Sequence, residues 1–236
     1  MLRKLLKIFT ALTLLLIISI TAIYLIHNKA LPEGENRPQA DALAEKMLKA
    51  VNEEAYRNTR YLEWTFRNGE HVYKWDKALG LVAISWDDFS INLNLNTPHK
   101  SEVAKNGIKL KSGAKRDAVI SEALSLFNND SFWLVAPFKV FDKGTERSIV
   151  KLEDGTNALL VTYTSGGSTP GDSYLWKLQP NGFPDSFQMW VKIIPIGGFE
   201  ASWDDWQLTE SGAFLPKSHI LGPMKLDMGD VKAYNP

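Results

Sequence analysis

The chain contains no cysteine. That one absence removes disulfides, thiolate metal sites, cysteine nucleophiles and the acylated Cys of a lipoprotein, and it leaves the redox compartment open. Histidine is scarce as well: His27, His71, His99 and His219 are the four, and no two have the i, i+4 spacing of an H-E-x-x-H zinc helix. Neither a metal nor a cofactor is therefore expected. There is no excess of charge of either sign, with 27 basic and 27 acidic residues; setting aside Arg3, Lys4 and Lys7 at the N-terminus leaves 24 against 27. A near-neutral, slightly acidic body gives no electrostatic basis for nucleic-acid binding. The phosphate-loop signature G-K-[ST] and the nucleophile elbow G-x-S-x-G are missing too.

One long apolar run is present. Ile8 to Ile26 holds nineteen residues without a charge, and a helix of that length spans roughly 28 Å, close to the ~30 Å hydrocarbon core of a bilayer. The basic residues before it orient the N-terminus to the cytoplasm and the remainder outward. A cleaved signal peptide is the competing reading, for which Asn28-Lys29-Ala30 is a poor small-x-small site. Either way residues 1–30 send the chain to a cell envelope. It is held at the inner membrane with its domain in the periplasm, or released there if cleaved. Residues 31–37, with Pro32 and Gly34, form a linker, and 38–236 is long enough for a single domain with a well-buried core.

From Pro38 the pattern is helical. Leu43, Met47 and Val51 recur at i, i+4 and i+8 beside Ala44, Leu48 and Ala55, opposite a charged face of Asp41, Glu45, Lys46, Lys49 and Glu53. Such a helix lies on a larger apolar surface. After Asn58 the period becomes two. Tyr61 to Phe66 and His71 to Trp75 flank Asn68-Gly69, a dipeptide that supplies the positive φ angles of tight hairpins. Leu81 to Trp86 leads to a strand in which Phe89, Ile91, Leu93 and Leu95 alternate with Ser90, Asn92, Asn94 and Asn96.

A second helix is expected over Lys115 to Phe127, capped by Ser112 and stopped by Asn128-Asn129-Asp130. Strands follow at 132–141, 148–152, 157–164, 173–178, 186–194, 199–208 and 213–220, several separated by Gly-containing turns. About ten strands in hairpin succession with two helices predict an α+β fold, a large curved antiparallel sheet left unclosed as a barrel with the helices packed on one side.

Two carboxylate pairs, Asp87 with Asp88 and Asp204 with Asp205, have the residue type for calcium or for acid–base work on a glycosidic bond. Asp beside Trp at a strand end also serves a turn, by capping backbone N–H groups. The small-residue run from Thr164 to Asp172 reads as a connecting loop, since no helix pattern follows it. The aromatics carry the sharper signal. Trp64, Phe66, Phe89, Ile91, Leu93, Trp133, Trp176 and Trp190 fall on predicted strands, and where helices cover such a sheet incompletely they line an apolar ligand cavity. Core packing alone is the competing account.

The order of these elements, with aromatic-rich strands such as Tyr61-Leu62-Glu63-Trp64-Thr65-Phe66, resembles the superfamily of LolA and LolB lipoprotein carriers. That resemblance covers Pro38 to the C-terminus, and Phe132-Trp133-Leu134-Val135-Ala136-Pro137-Phe138-Lys139 is similar to segments of bacterial envelope proteins of this kind. It implies an unclosed β-barrel whose helical lid shelters acyl chains. The chain departs from both branches: it has no Cys to acylate, and a retained anchor prevents free shuttling. The expected function is thus a membrane-tethered, extracytoplasmic, non-enzymatic binder of a lipid or lipidated protein. A hydrolase built on the paired Asp residues and an envelope interaction module acting through the Gly-rich loop are the alternatives.

Overall fold

The computed structural model describes residues 2–35, 37–166 and 169–236; within helices, the side chains of 2, 20, 23 and 37 lie outside the description. Asn36 of the expected linker and Gly167-Ser168 of the expected Gly-rich loop lie outside the described residues.

The fold is α+β, with two large antiparallel sheets that do not close into a barrel and helices packed alongside them. Helix α1 (Leu2–His27) precedes the domain, is long and apolar enough to serve as a membrane anchor or a signal, and buries none of its apolar stretch. The expected helix from Pro38 is present as α2 (Arg37–Ala50), followed by a short α3 (Glu53–Asn58). They break at Asn52, which adopts a left-handed φ of 57°, accepts from Ala55 N at 3.4 Å and donates to Gly212 O at 2.8 Å. Asn tolerates that conformation because its short polar side chain bonds locally.

The seven-stranded sheet contains β1 (Tyr61–Phe66), β2 (His71–Asp76), β3 (Leu81–Trp86), β4 (Phe89–Asn94), β5 (Glu102–Lys105), β6 (Ile108–Leu110) and β15 (Lys232–Tyr234), in the order β15-β1-β2-β3-β4-β5-β6. The β1–β2 hairpin turns at Arg67, Asn68 and Gly69, all with positive φ (50°, 56° and 90°), as the Asn-Gly dipeptide implies. The eight-stranded sheet contains β7 (Thr145–Lys151), β8 (Asn157–Tyr163), β9 (Ser173–Leu178), β10 (Pro184–Trp190), β11 (Phe199–Ser202), β12 (Asp205–Leu208), β13 (Phe214–Leu221) and β14 (Met224–Asp227).

One C-terminal segment joins the two sheets. β14 pairs with β13 and β15 pairs with β1. Between them Met228 donates its N–H to Lys217 O at 2.8 Å and accepts from Thr65 N at 3.0 Å. The large curved surface expected from the hairpin pattern is thus divided, with a corner at Met228. The expectation of about ten strands falls short because β5, β6, β14 and β15 have only four, three, four and three residues.

Helix α4 (Ala114–Val135) runs eight residues past the stop expected at Phe127 and continues as a 3₁₀ turn over Ala136–Lys139, where a strand was expected. Its N-cap is Gly113, not Ser112, and makes no side-chain cap bond. Tertiary contacts override the terminator: Asp130 is 1% exposed, and its Oδ2 accepts from Tyr73 OH and from His71 Nδ1, both at 2.6 Å. Bound in this way, Asp130 serves the helix interior and not a turn.

Each sheet buries its own core. Alternation in β1 places Leu62, Trp64 and Phe66 inward with Tyr73, Val82, Ile84, Ile91 and Leu93 against Val119, Ile120, Ala123 and Phe127 of α4. The eight-stranded sheet packs Leu159, Val161, Trp176, Phe187 and Trp203 against Ala40, Ala44 and Met47 of α2. Trp133 of α4 reaches both cores.

Candidate functional site

The aromatic positions read from the sequence come together only in part. Trp64, Phe66, Ile91 and Leu93 share the first core with Phe89 at its margin, Trp176 belongs to the second, Trp133 bridges the two, and Trp190 lies in a separate cluster with Leu160 and Leu175. Trp64, Leu93 and Trp176 are 0–1% exposed, so the helices fill the face they line.

That filled face has an unusual chemistry. In the first core Trp64 stacks on Tyr73 at 4.5 Å, and Phe127 of α4 sits 6.3 Å from Trp64 and edge-on to Trp75 at 5.1 Å. In the second core Trp176 meets Trp203 at 4.9 Å and Phe187 at 5.0 Å, while Trp133 of α4 meets Phe187 at 5.6 Å. Phe132, the next residue along α4, touches Tyr163 at 5.7 Å and Tyr174 at 4.7 Å. The indole N–H groups of Trp64, Trp75, Trp176 and Trp203 and the hydroxyl of Tyr163 are all buried, and none has a hydrogen-bond partner among the described residues. Burying an unpaired donor costs about 1–3 kcal/mol, so five such donors across the two aromatic cores, Trp64 and Trp75 in the first and Trp176, Trp203 and Tyr163 in the second, are a substantial cost.

Two histidines frame this layer. His71, 6% exposed, holds Asp130 as described; His219, 0% exposed, places Nδ1 2.8 Å from Ser202 O and Nε2 2.8 Å from Trp133 O. Burial pushes the His219 imidazole below its ordinary range, against the pull of the two carbonyls. The phenol of Tyr163 is raised, chiefly by burial. Neither the unpaired indoles nor the buried Asp130 was legible in the sequence, because pairing is set by contacts between distant segments.

The carboxylate pairs are not brought together. Asp88, in the turn between β3 and β4, pairs with Lys105 at 3.0 Å, and Asp87 there has a φ of 46°. Asp205, at the start of β12 in the other sheet, accepts from Ser218 at 2.6 Å and pairs with Lys217 at 3.1 Å. Asp88 and Asp205 are thus satisfied carboxylates of a turn and a strand. Among the described residues no three His, Asp or Glu side chains gather as a metal site requires. The described stretch of the Gly-rich loop is a connection, with Asp172 Oδ1 accepting from Lys192 N at 3.1 Å.

On the opposite face of the seven-stranded sheet lies an open groove of about 650 Å³, lined by Thr65, Val72, Ala83, Ser85, Ser90, Asn92 and Ala104. Its rim charges pair with one another, Lys74 with Glu63 at 2.9 Å and Lys109 with Glu102 at 2.6 Å. Small polar residues there are what the wet face of an antiparallel sheet carries. No protein-family model matches the chain, and no curated protein matches it.

Proposed function

We propose that the protein is a membrane-tethered binding domain for an apolar, carbonyl-bearing ligand, the acyl chain of a lipid or lipidated protein, taken up between the sheets and helix α4. The observation that carries the reading is the aromatic layer with its unpaired donors. Phe127, Phe132 and Trp133, spread around α4, lie against rings of both cores, so displacing the helix opens them. An acyl chain would replace the apolar contacts of α4, and ester or amide carbonyls would accept from indole N–H groups that now lack a partner. This keeps the ligand class implied by the resemblance to lipoprotein carriers, and α1 makes the domain a resident of one membrane.

All eight Trp residues lie beyond α1, so tryptophan fluorescence reports on the domain alone. The full-length protein in lipid nanodiscs is titrated with a brominated fatty acid. Saturable quenching that a Trp176→Phe, Trp203→Phe double variant reduces supports the reading; quenching that is linear and unchanged in the variant removes it.

A further inference from the structure

We propose that the end of the eight-stranded sheet from which α1 emerges is a second membrane contact, with the β10–β11 connection (191–198) seated in the lipid interface beside the helix. The inference rests on reading α1 as a membrane span, and it adds an orientation that a flexible tether would not impose.

The exit of α1 is bonded to that connection. Lys29 N donates to Gly197 O at 2.9 Å, Gly197 N to Asn28 Oδ1 at 2.8 Å, and Trp190 Nε1 to Lys29 O at 2.8 Å. The fit is tight: a Cβ added at Gly197 would stand 2.6 Å from Trp190 Cδ1 and 2.7 Å from Lys29 O. Farther along, Glu35 exchanges backbone hydrogen bonds with Ile149 at 2.7 and 2.8 Å, so the linker is held at both ends.

Within a residue or two of the helix exit the chain therefore presents Ile193-Ile194-Pro195-Ile196, in which Ile193 is 70% exposed. Two further connections on this end of the sheet also present apolar side chains. Met224, 61% exposed, follows Gly222, whose neighbour is the Phe199 ring at the start of β11. Phe141, 41% exposed, precedes Gly144, whose carbonyl accepts from Thr164 N beyond the end of β8. The turns at the other end read Glu153-Asp154-Gly155, Pro180-Asn181-Gly182 and Glu210-Ser211-Gly212, with Leu208 the exposed apolar residue near them.

Single exposed apolar side chains are ordinary. Three on one end of the sheet, the end to which the exit of an apolar helix is bonded, face the same way as that helix leaves, and the occupant which matches both is the bilayer. Trp190, with its indole bonded at the exit, and Lys29 and Lys192 beside it are residue types that settle at a membrane interface.

Because the chain lacks cysteine, single-Cys nitroxide labels report depth without background. Full-length protein carrying Ile193→Cys, Asn181→Cys or Leu15→Cys is reconstituted in vesicles of phosphatidylethanolamine and phosphatidylglycerol. Accessibility to oxygen is then compared with accessibility to a polar nickel chelate. The expected result is oxygen-dominated relaxation at 193, at a depth of roughly 5–10 Å, and chelate-dominated relaxation at 181. If 15 lies in hydrocarbon and 193 is as water-exposed as 181, the seated loop is wrong and the anchor stands. If 15 is itself in water, both are wrong.

Discussion

Trp190 on β10 donates its indole N–H to the backbone carbonyl of Lys29 at 2.8 Å, across 161 positions of sequence. The bond ties the end of α1 to the sheet and makes a fixed joint just ahead of residues 31–37. Gly197→Ala is expected to open the joint, since the new methyl would collide with both partners. Two lost hydrogen bonds correspond to on the order of tenfold faster trypsin cleavage after Lys29. Equal cleavage rates in variant and parent would show that the joint is not closed in solution.

Asp130 is the keystone between α4 and β2. Asp130→Ala leaves His71 and Tyr73 without their buried acceptor, and each unsatisfied donor is expected to cost about 1–3 kcal/mol. Tyr73→Phe removes one bond to a carboxylate and costs about 1.5–3 kcal/mol. Chemical unfolding of the single and double variants should give a non-additive cycle, because both substitutions act on the same Oδ2. Additivity would mean that the cluster is not formed.

His219 links β13 to β11 and to the end of α4, and its folded-state affinity for a proton lies below the unfolded value. The unfolded state then binds more protons in the window just below pH 6.5. Its contribution to stability is present above that pH and is lost as pH falls toward the folded value. Thermal unfolding from pH 7 to 5 should show this slope, and His219→Gln should flatten it while lowering stability throughout. A slope unchanged in the variant would assign it to other groups.

Lys77 gives the alkaline counterpart. Its ammonium donates to Tyr56 O and stands 3.7 Å over the Tyr56 ring, and burial pushes it down to about 8. The unfolded value is near 10.4, so stability should rise with pH between those limits. Lys77→Met should remove the rise, and chemical unfolding at pH 7.5 and 9.5 checks it.

The sequence was most informative where local chemistry decides. The hairpin at Asn68-Gly69, the alternation of Phe89, Ile91 and Leu93, and the amphipathic stripe of Ala44 and Met47 each have their expected role. It was least informative where one long-range partner overrides a local signal. Asn128-Asn129-Asp130 has the composition of a helix stop, yet Asp130 is carried inside by His71 and Tyr73, and the helix continues through Trp133. Strand period reports side for Trp64, Phe66, Ile91, Leu93 and Trp176, which face the cores, but it placed Trp133 on a strand where α4 runs, and Trp190 belongs to a separate cluster. Their filling by α4, and the unpaired state of four indoles, depend on packing that no window of sequence contains. The contact at the exit of α1 was hidden for the same reason: Lys29 has no mark in sequence that pairs it with Gly197.

The most direct test of an acyl-binding interior is photocrosslinking in nanodiscs with a diazirine-bearing fatty acid, followed by mapping of the labelled peptides in the full-length protein. The account predicts labels on the α4 stretch from Phe127 to Trp133 and on strands bearing Trp176 and Trp203, displaced by excess unlabelled fatty acid. Labels confined to α1 and the 191–198 connection would contradict it, leaving a membrane-seated domain with a closed interior.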